Sequence, residues 1–377
     1  MKNLSALLLC GVMFALSSCG DNDNNNPAGG NDGYGYDFTA TIATYIDDVV
    51  IPTYTLMKND VKALHDAVVA YDNDPSPDKL VAVCDAWRAA RIPWEQSEGF
   101  LFGPAALLGL DPSLDSWPLD KGSIDRIISG SEEINPERIT ADNLHGFHAI
   151  EYLIFDGGNP KTSTLGEREQ AYLLAAAEIL RTDTYLLWAN WIGADNIDDD
   201  DVSTVFEEEE IEVQYNFTAH FKHAGTAGSL FASQDEAIDQ IVEGCITIAD
   251  EVGAQKIGGP NGQAKEGNLE AAVLEVESWY SWNSIDDYAN NIISIRNSYF
   301  GGNGLTATTA SLSAFVKSKD TALDTEITDA IEAAYDAIYV QMDKPFRNNL
   351  TGEKVDAAMD ACADLVDIFE KIKSLKD

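Results

Sequence analysis

Apolar residues recur every three to four positions along nearly the whole chain beyond Phe38. Ile42, Tyr45, Ile46, Val49 and Val50 keep a helical period. Pro52 is expected to kink or restart it, and Leu56, Val61, Leu64 and Val68 extend it to Tyr71. Residues 73–77 read as a turn. Asp78 is the expected cap of a helix carrying Leu80, Val83, Cys84, Trp87, Arg88, Arg91, Trp94, Glu95 and Glu98, stopped at Phe100-Leu101-Phe102-Gly103-Pro104. Residues 103–145 are loop-rich, and a loop of that length inside a domain is often functional. A short helix around Gly146-Phe147-His148-Ala149-Ile150-Glu151 follows, then a long one over 167–191.

In the second half one stripe runs through Ile238, Ile241, Val242, Cys245, Ile248, Ala249 and Val252. It is expected to break at Gly258-Gly259-Pro260-Asn261-Gly262. A continuous helix is expected from 269 to about 299, and further helices around 323–338 and 355–372. No alternating strand of any length appears. The predicted fold class is all-α, in two helical bundles. Each half has a Trp-bearing helix that ends in an aromatic-Gly pair, Phe102-Gly103 and Phe300-Gly301, a hint of pseudo-repetition.

The N-terminus changes the picture. After Lys2, residues 4–16 are apolar apart from Ser5, too short for a membrane span and suited to a signal peptide over 1–18. Leu16-Ser17-Ser18-Cys19 resembles a bacterial lipobox, in which the Cys is lipidated and becomes the new N-terminus. Residues 19–37 are the expected lipidated Cys19 and its tether, rich in Asn, Asp and Gly. The N-terminal bundle is expected over 38–194, an acidic junction over 195–212 and the C-terminal bundle over 213–377. The expected location is the cell envelope, with membrane contact through the lipid only and the membrane face left open.

The 377-residue chain carries 24 Lys and Arg against 64 Asp and Glu, a net charge of −40. Such a surface repels phosphate backbones, which sets nucleic acid aside as a partner. Cys84, Cys245 and Cys362 are odd in number, lie in apolar helical surroundings and form no CxxC pair. They read as small buried hydrophobes, with one bridge left open. GxSxG, GxxxxGK[ST] and GxGxxG are absent, so serine, P-loop and dinucleotide chemistry find no support.

One place sets a His and a carboxylate three apart on an apolar helix, His148 and Glu151. Positions i and i+3 share a helix face, about 5–6 Å apart at Cβ, so the two can converge on one point. HExxH is absent. HxxE supplies half a metal site, and the spacing alone fits a buried hydrogen bond bracing a helix interface better than a metal centre. His145 either shares that face or caps the helix start. His220 and His223, flanking Lys222, are expected in a surface or packing role, and His65 is expected to be exposed.

Gly146-Phe147-His148-Ala149-Ile150-Glu151 resembles the GxHxxE signature of the imelysin family, also called imelysin-like peptidases. Trp87-Arg88-Ala89-Ala90-Arg91 with Trp94, Glu95, Glu98 and Phe102-Gly103-Pro104 resembles that family's first-domain helix, and Asp115-Ser116-Trp117-Pro118 the loop after it. Residues 278–301, with Ser281, Asp286, Asp287, Asn290, Asn291, Asn297 and Tyr299, are similar to its second-domain segment. The likeness covers nearly all of the chain beyond the tether. It implies a two-bundle fold, an envelope location, a link to iron uptake and an envelope partner in that uptake. The chain also resembles the domain of a periplasmic iron-transport protein that partners a ferrous permease, where the HxxE pair helps bind metal.

The expected ligands are then His148 and Glu151, with Glu98 third and Asp115 fourth. Arg91 and Trp117 stand behind them, Arg91 orienting a carboxylate. Such nitrogen and oxygen donors suit iron or zinc. The expected function is an envelope lipoprotein that binds a metal ion, or an iron-bearing ligand, between helical bundles in iron uptake. Two alternatives stay open. One is a metallopeptidase in which Glu151 is base or ligand, although no nucleophile or complete zinc set is visible. The other is a structural or adaptor lipoprotein in which the motif only braces helices.

Overall fold

The structure, a computed structural model, describes residues 33–302 and 307–376. The expected signal peptide and the lipidation site Cys19 lie outside the described residues. As expected, the fold is all-α. The one sheet among the described residues is a two-residue antiparallel hairpin, Phe155–Asp156 against Asn159–Pro160.

In the first half, α1 (Ile51–Asn73) lies along α2 (Pro77–Glu95), and of the four short helices that follow, α3 (Leu110–Asp115) and α4 (Gly146–Ile154) bear on the site. The long α5 (Glu167–Ile192) packs against α1, α3 and α4. In the second half, α6 (Gln234–Asp250), α7 (Ser284–Phe300), α8 (Thr321–Tyr335) and α9 (Glu353–Lys373) pack on one another, α9 against both α6 and α8. The halves meet where α2 and the 3-10 turn Glu98–Phe100 lie on α7 and α6. Apolar side chains of both halves form one continuous core, with Trp87, Trp94, Trp191, Tyr288 and Tyr299 fully buried. Cys84, Cys245 and Cys362 are buried free thiols.

Several local expectations change. Pro52 neither ends nor restarts the helix: Thr39–Thr44, a widened π-turn over Tyr45–Val50 and α1 run on without a break, and the widened turn falls just before the proline, which has no N–H to donate to the ladder. Ser76, not Asp78, caps α2: its Oγ accepts from Lys79 N, and Pro77 takes the first helical position. The Gly258–Gly262 run does not break the helix. A π-helix over Glu251–Ile257 leads into Gly258–Lys265; Gly253 and Gly258 pack closely on α9, where a Cβ would stand 2.7 Å from Cys362 Cβ and 3.3 Å from Met359 Cε, whereas Gly262 meets nothing within 4 Å. The expected helix from 269 to 299 is interrupted, with helices Leu269–Glu275 and α7 separated by an irregular turn.

The acidic stretch 195–212 contains a helix, Asp200–Glu208, whose Val202, Val205 and Phe206 are buried. Asp199 pairs with Lys58 of α1 and Asp201 with Tyr185 of α5, so this segment is seated on the first half. His65 is buried rather than exposed. Burial, with Arg181 nearby, pushes its pKa down to about 4. The last residues of the expected tether also join the fold. The Tyr34 hydroxyl donates to Asp239 Oδ1 of α6 at 2.8 Å, and its ring meets Phe38 and Phe315 edge-on.

Candidate metal centre

Where the halves meet, charged side chains are buried that ordinarily stay wet. Helix α2 presents Arg91 and Glu95, four residues apart, on its inner face. The helix ends at Glu95, short of the expected stop, so Glu98 falls not on it but in the 3-10 turn that follows; Asp115 ends α3, and His148 and Glu151 share one face of α4. Glycine at 146 makes this possible. Its φ is +79°, and a Cβ there would lie 2.5 Å from Leu114 O, so only glycine lets the end of α3 pass against the start of α4. That crossing sets Asp115 beside His148.

The second half supplies the rest. Glu277, Ser278 and Ser281 come from the irregular turn before α7, Asp287 and Asn291 from α7, and Lys256 from the π-helix. The turn is shaped from outside. Gly158 N donates to Tyr280 O, Arg88 Nη2 to Ser281 O, and Ser278 and Trp282 take positive φ of 51° and 62°. Such angles are strained for residues with a Cβ and persist only where the surroundings fix them.

His148 and Glu151 are both fully buried. His148 Nδ1 lies 3.0 Å from Glu151 Oε2, while Glu151 Oε1 accepts from Ser281 N and Ser281 Oγ, each at 2.8 Å. Both Glu151 oxygens are thus committed to holding the imidazole and the second-half turn. His148 Nε2 faces the other way, 3.1 Å from Asp115 Oδ1 and 3.6 Å from Glu277 Oε1, but off the line that a hydrogen bond requires. Glu277 Oε2 is likewise buried without a hydrogen-bond partner. Asp115 Oδ2 accepts from Trp94 Nε1 at 2.6 Å, and its Oδ1 pairs with Arg91. Arg91, fully buried, also pairs with Glu95 and lies 3.3 Å from both Glu277 Oε1 and Asp287 Oδ2. The Trp117 ring stands edge-on to the His148 ring, centroids 4.6 Å apart.

Acid outnumbers base here. Arg91 and Lys256 are the fixed cations, against Glu95, Glu98, Asp115, Glu277 and Asp287. Burial works against every carboxylate, and the neighbours decide the outcome. For Asp115, Arg91 and His148 outweigh burial and hold the pKa well below the usual range. For Glu277, Lys256 and His148 do so, bringing it to about 2. For Glu95 and Glu98 burial wins over Arg91 and Lys256, and their pKa values rise well above normal. Asp287 rises to about 6, and nearby Asp111 to about 7, both chiefly through burial. Burial lowers His148, but the Asp115 charge overrides it and raises the pKa. Such a cluster keeps its surplus negative charge in check by retaining protons or by taking up a cation.

One nitrogen and two oxygens, from His148, Asp115 and Glu277, lie within 4.8 Å of one another. This donor set fits a transition-metal ion. The structure gathers the four expected ligands into one cluster but gives them different neighbours. Asp115 and His148 face a common point. Glu151 grips the far side of the imidazole. Glu98 falls in a second set with Glu95 and Asp115. Arg91 lies at the centre of the ion pairs, and Trp117 flanks His148. Glu277 and Lys256 were not anticipated. Glu277 lies inside what reads as continuous helix, and no spacing marks Lys256.

Residues 50–372 match the family described as Imelysin. Iron-regulated protein A of Synechococcus elongatus is 28% identical over 336 residues, covering 88% of this chain and 84% of that protein. Among solved structures, a candidate iron-regulated protein A precursor from Parabacteroides distasonis is 37% identical with a TM-score of 0.81, covering 90% of this chain and 95% of that one. An imelysin-like protein from Psychrobacter arcticum, 15% identical, has the same fold at a TM-score of 0.60, covering 89% and 91%.

Proposed function

The chain belongs to the imelysin family, and on that premise we propose that it is a cell-envelope protein that binds one divalent transition-metal ion in the handling of iron. Asp115, His148 and Glu277 would hold the ion, Glu151 would fix the imidazole, and Arg91 would hold the carboxylates. The observation that carries this reading is the pair of buried atoms without hydrogen-bond partners, His148 Nε2 and Glu277 Oε2, beside Asp115. Each lies within ion-pair distance of a charged neighbour, His148 Nε2 of Asp115 and Glu277 Oε2 of Lys256, yet neither is hydrogen-bonded, which leaves both free to turn to a metal ion. Iron enters through the name of two relatives, iron-regulated protein A. The donors suit ferrous iron or zinc.

Binding is favoured over peptide hydrolysis by enclosure. The side chains of Asp115 and Glu277 are 4% and 7% exposed, and that of His148 not at all. A general base must reach the proton it takes, and both Glu151 oxygens are already engaged. Lipid attachment at Cys19 and an envelope partner in iron uptake are part of the same proposal.

Calorimetric titration of the mature chain with Fe(II) under anaerobic conditions, or with Zn(II), tests it. One ion per chain is expected. H148A and E277Q abolish tight binding, whereas E151A weakens it by about 10–100-fold without changing the stoichiometry. Unaltered binding in H148A sinks the site. Absence of binding, with H148A lowering only the melting temperature, leaves the bracing role. Metal-dependent cleavage of a peptide library that disappears in H148A would reinstate the peptidase.

A further inference from the structure

The second carboxylate set, Glu95, Glu98 and Asp115, adjoins the first and shares Asp115 with it. An acidic cluster by itself says little, but Glu95 and Glu98 of this one already face a buried cation. The Lys256 side chain is 10% exposed. Its Nζ stands 3.2 Å from Glu277 Oε2, 3.6 Å from Glu98 Oε1 and 3.9 Å from Glu95 Oε2. An ammonium ordinarily aims three protons at acceptors. Here Glu277 Oε2 takes no hydrogen bond, and the ammonium acts as a point charge among carboxylates. It is aimed there by the π-helix Glu251–Ile257, whose Lys256 carbonyl is fixed by the Tyr288 hydroxyl at 3.2 Å. π-turns of this kind often place functional side chains.

We propose that Lys256 occupies the second of two adjoining cation positions and so limits the protein to a single metal ion. It is a specificity-determining residue: its one charge stands beside Glu95, Glu98 and Glu277, where a second divalent ion, sharing Glu277 with the first, would otherwise bind. The inference rests on reading Asp115, His148 and Glu277 as the first position.

Mn(II), counted by equilibrium dialysis with elemental analysis and followed by electron paramagnetic resonance, tests it on the mature chain. Wild type and K256R should bind one ion. K256M and K256Q should bind two, with a spin-coupled spectrum, and adding E98Q to K256M should return the count to one. K256Q keeps a polar group in the cage if K256M folds poorly. Rescue of either variant's melting temperature by Mn(II) at two ions per chain also supports the proposal, and rescue at one per chain overturns it. One ion in wild type and in both neutral variants overturns this inference alone. No ion in wild type overturns the metal site together with it.

Discussion

His148 has its two ring nitrogens in unlike surroundings, and that asymmetry gives the residue its chemistry. With Nδ1 turned to Glu151, any metal must meet Nε2, and Nε2 must first lose its proton. Because the Asp115 charge raises the His148 pKa despite burial, protons compete strongly with metal. Metal affinity should therefore fall as pH falls, by about tenfold per unit for the one proton displaced. Titrations across a pH series, in buffers of differing ionisation enthalpy, measure that proton; a pH-independent affinity would contradict it. The same shift acts on the metal-free fold with the opposite sign. Its contribution to stability is complete below the ordinary histidine value of about 6.5 and is lost as pH rises through the raised one. The pairing of His148 with Glu151 was legible in the three-residue spacing. Which of them would face a metal was not, because spacing places two side chains on a face without saying what stands opposite each.

The elements that shape the site are short and irregular. Helix α4 has nine residues and α3 six, and they cross at Gly146. G146A would place a methyl 2.5 Å from Leu114 O on a residue held at φ +79°. It should cost about 1–3 kcal/mol from the backbone conformation alone. By moving α3 it should also weaken metal binding, so thermal melts and titration should both register the change. A melting temperature and affinity equal to wild type would show that the crossing is slack. The long helices followed from their apolar periods, and so did the i, i+4 placement of Arg91 and Glu95. The break at 276–283 did not, because no Gly or Pro punctuates it. Contacts from the first half impose that break: Gly158 on Tyr280, Arg88 and Glu151 on Ser281. Local propensity yields to tertiary contacts of this sort, and Glu277 was hidden for that reason. Likewise, the glycines after Lys256 suggested a chain break, whereas the helix runs through them and Gly258 packs against Met359 of α9.

Across the whole molecule, the buried charges tie the two halves together. Arg91 belongs to the first half, and Glu277 and Asp287 to the second. Removing the guanidinium leaves several carboxylates buried without their counter-charge, a loss of about 3–5 kcal/mol when one partner of a buried pair is deleted. R91M should therefore lower the melting temperature of the metal-free protein while the two halves still unfold in one calorimetric transition. Two separated transitions would show that the halves stand independently. The seat of Tyr34 has a different consequence, one of distance. If Cys19 carries a lipid, residues 20–33 are all the chain available between bilayer and body. Covalent geometry limits that span to about 50 Å, close to the width of a compact body of this size. The protein would then be moored rather than merely attached, its α6 side around Asp239 never more than about one body width from the membrane and its metal-collecting range confined to a layer about two molecules thick.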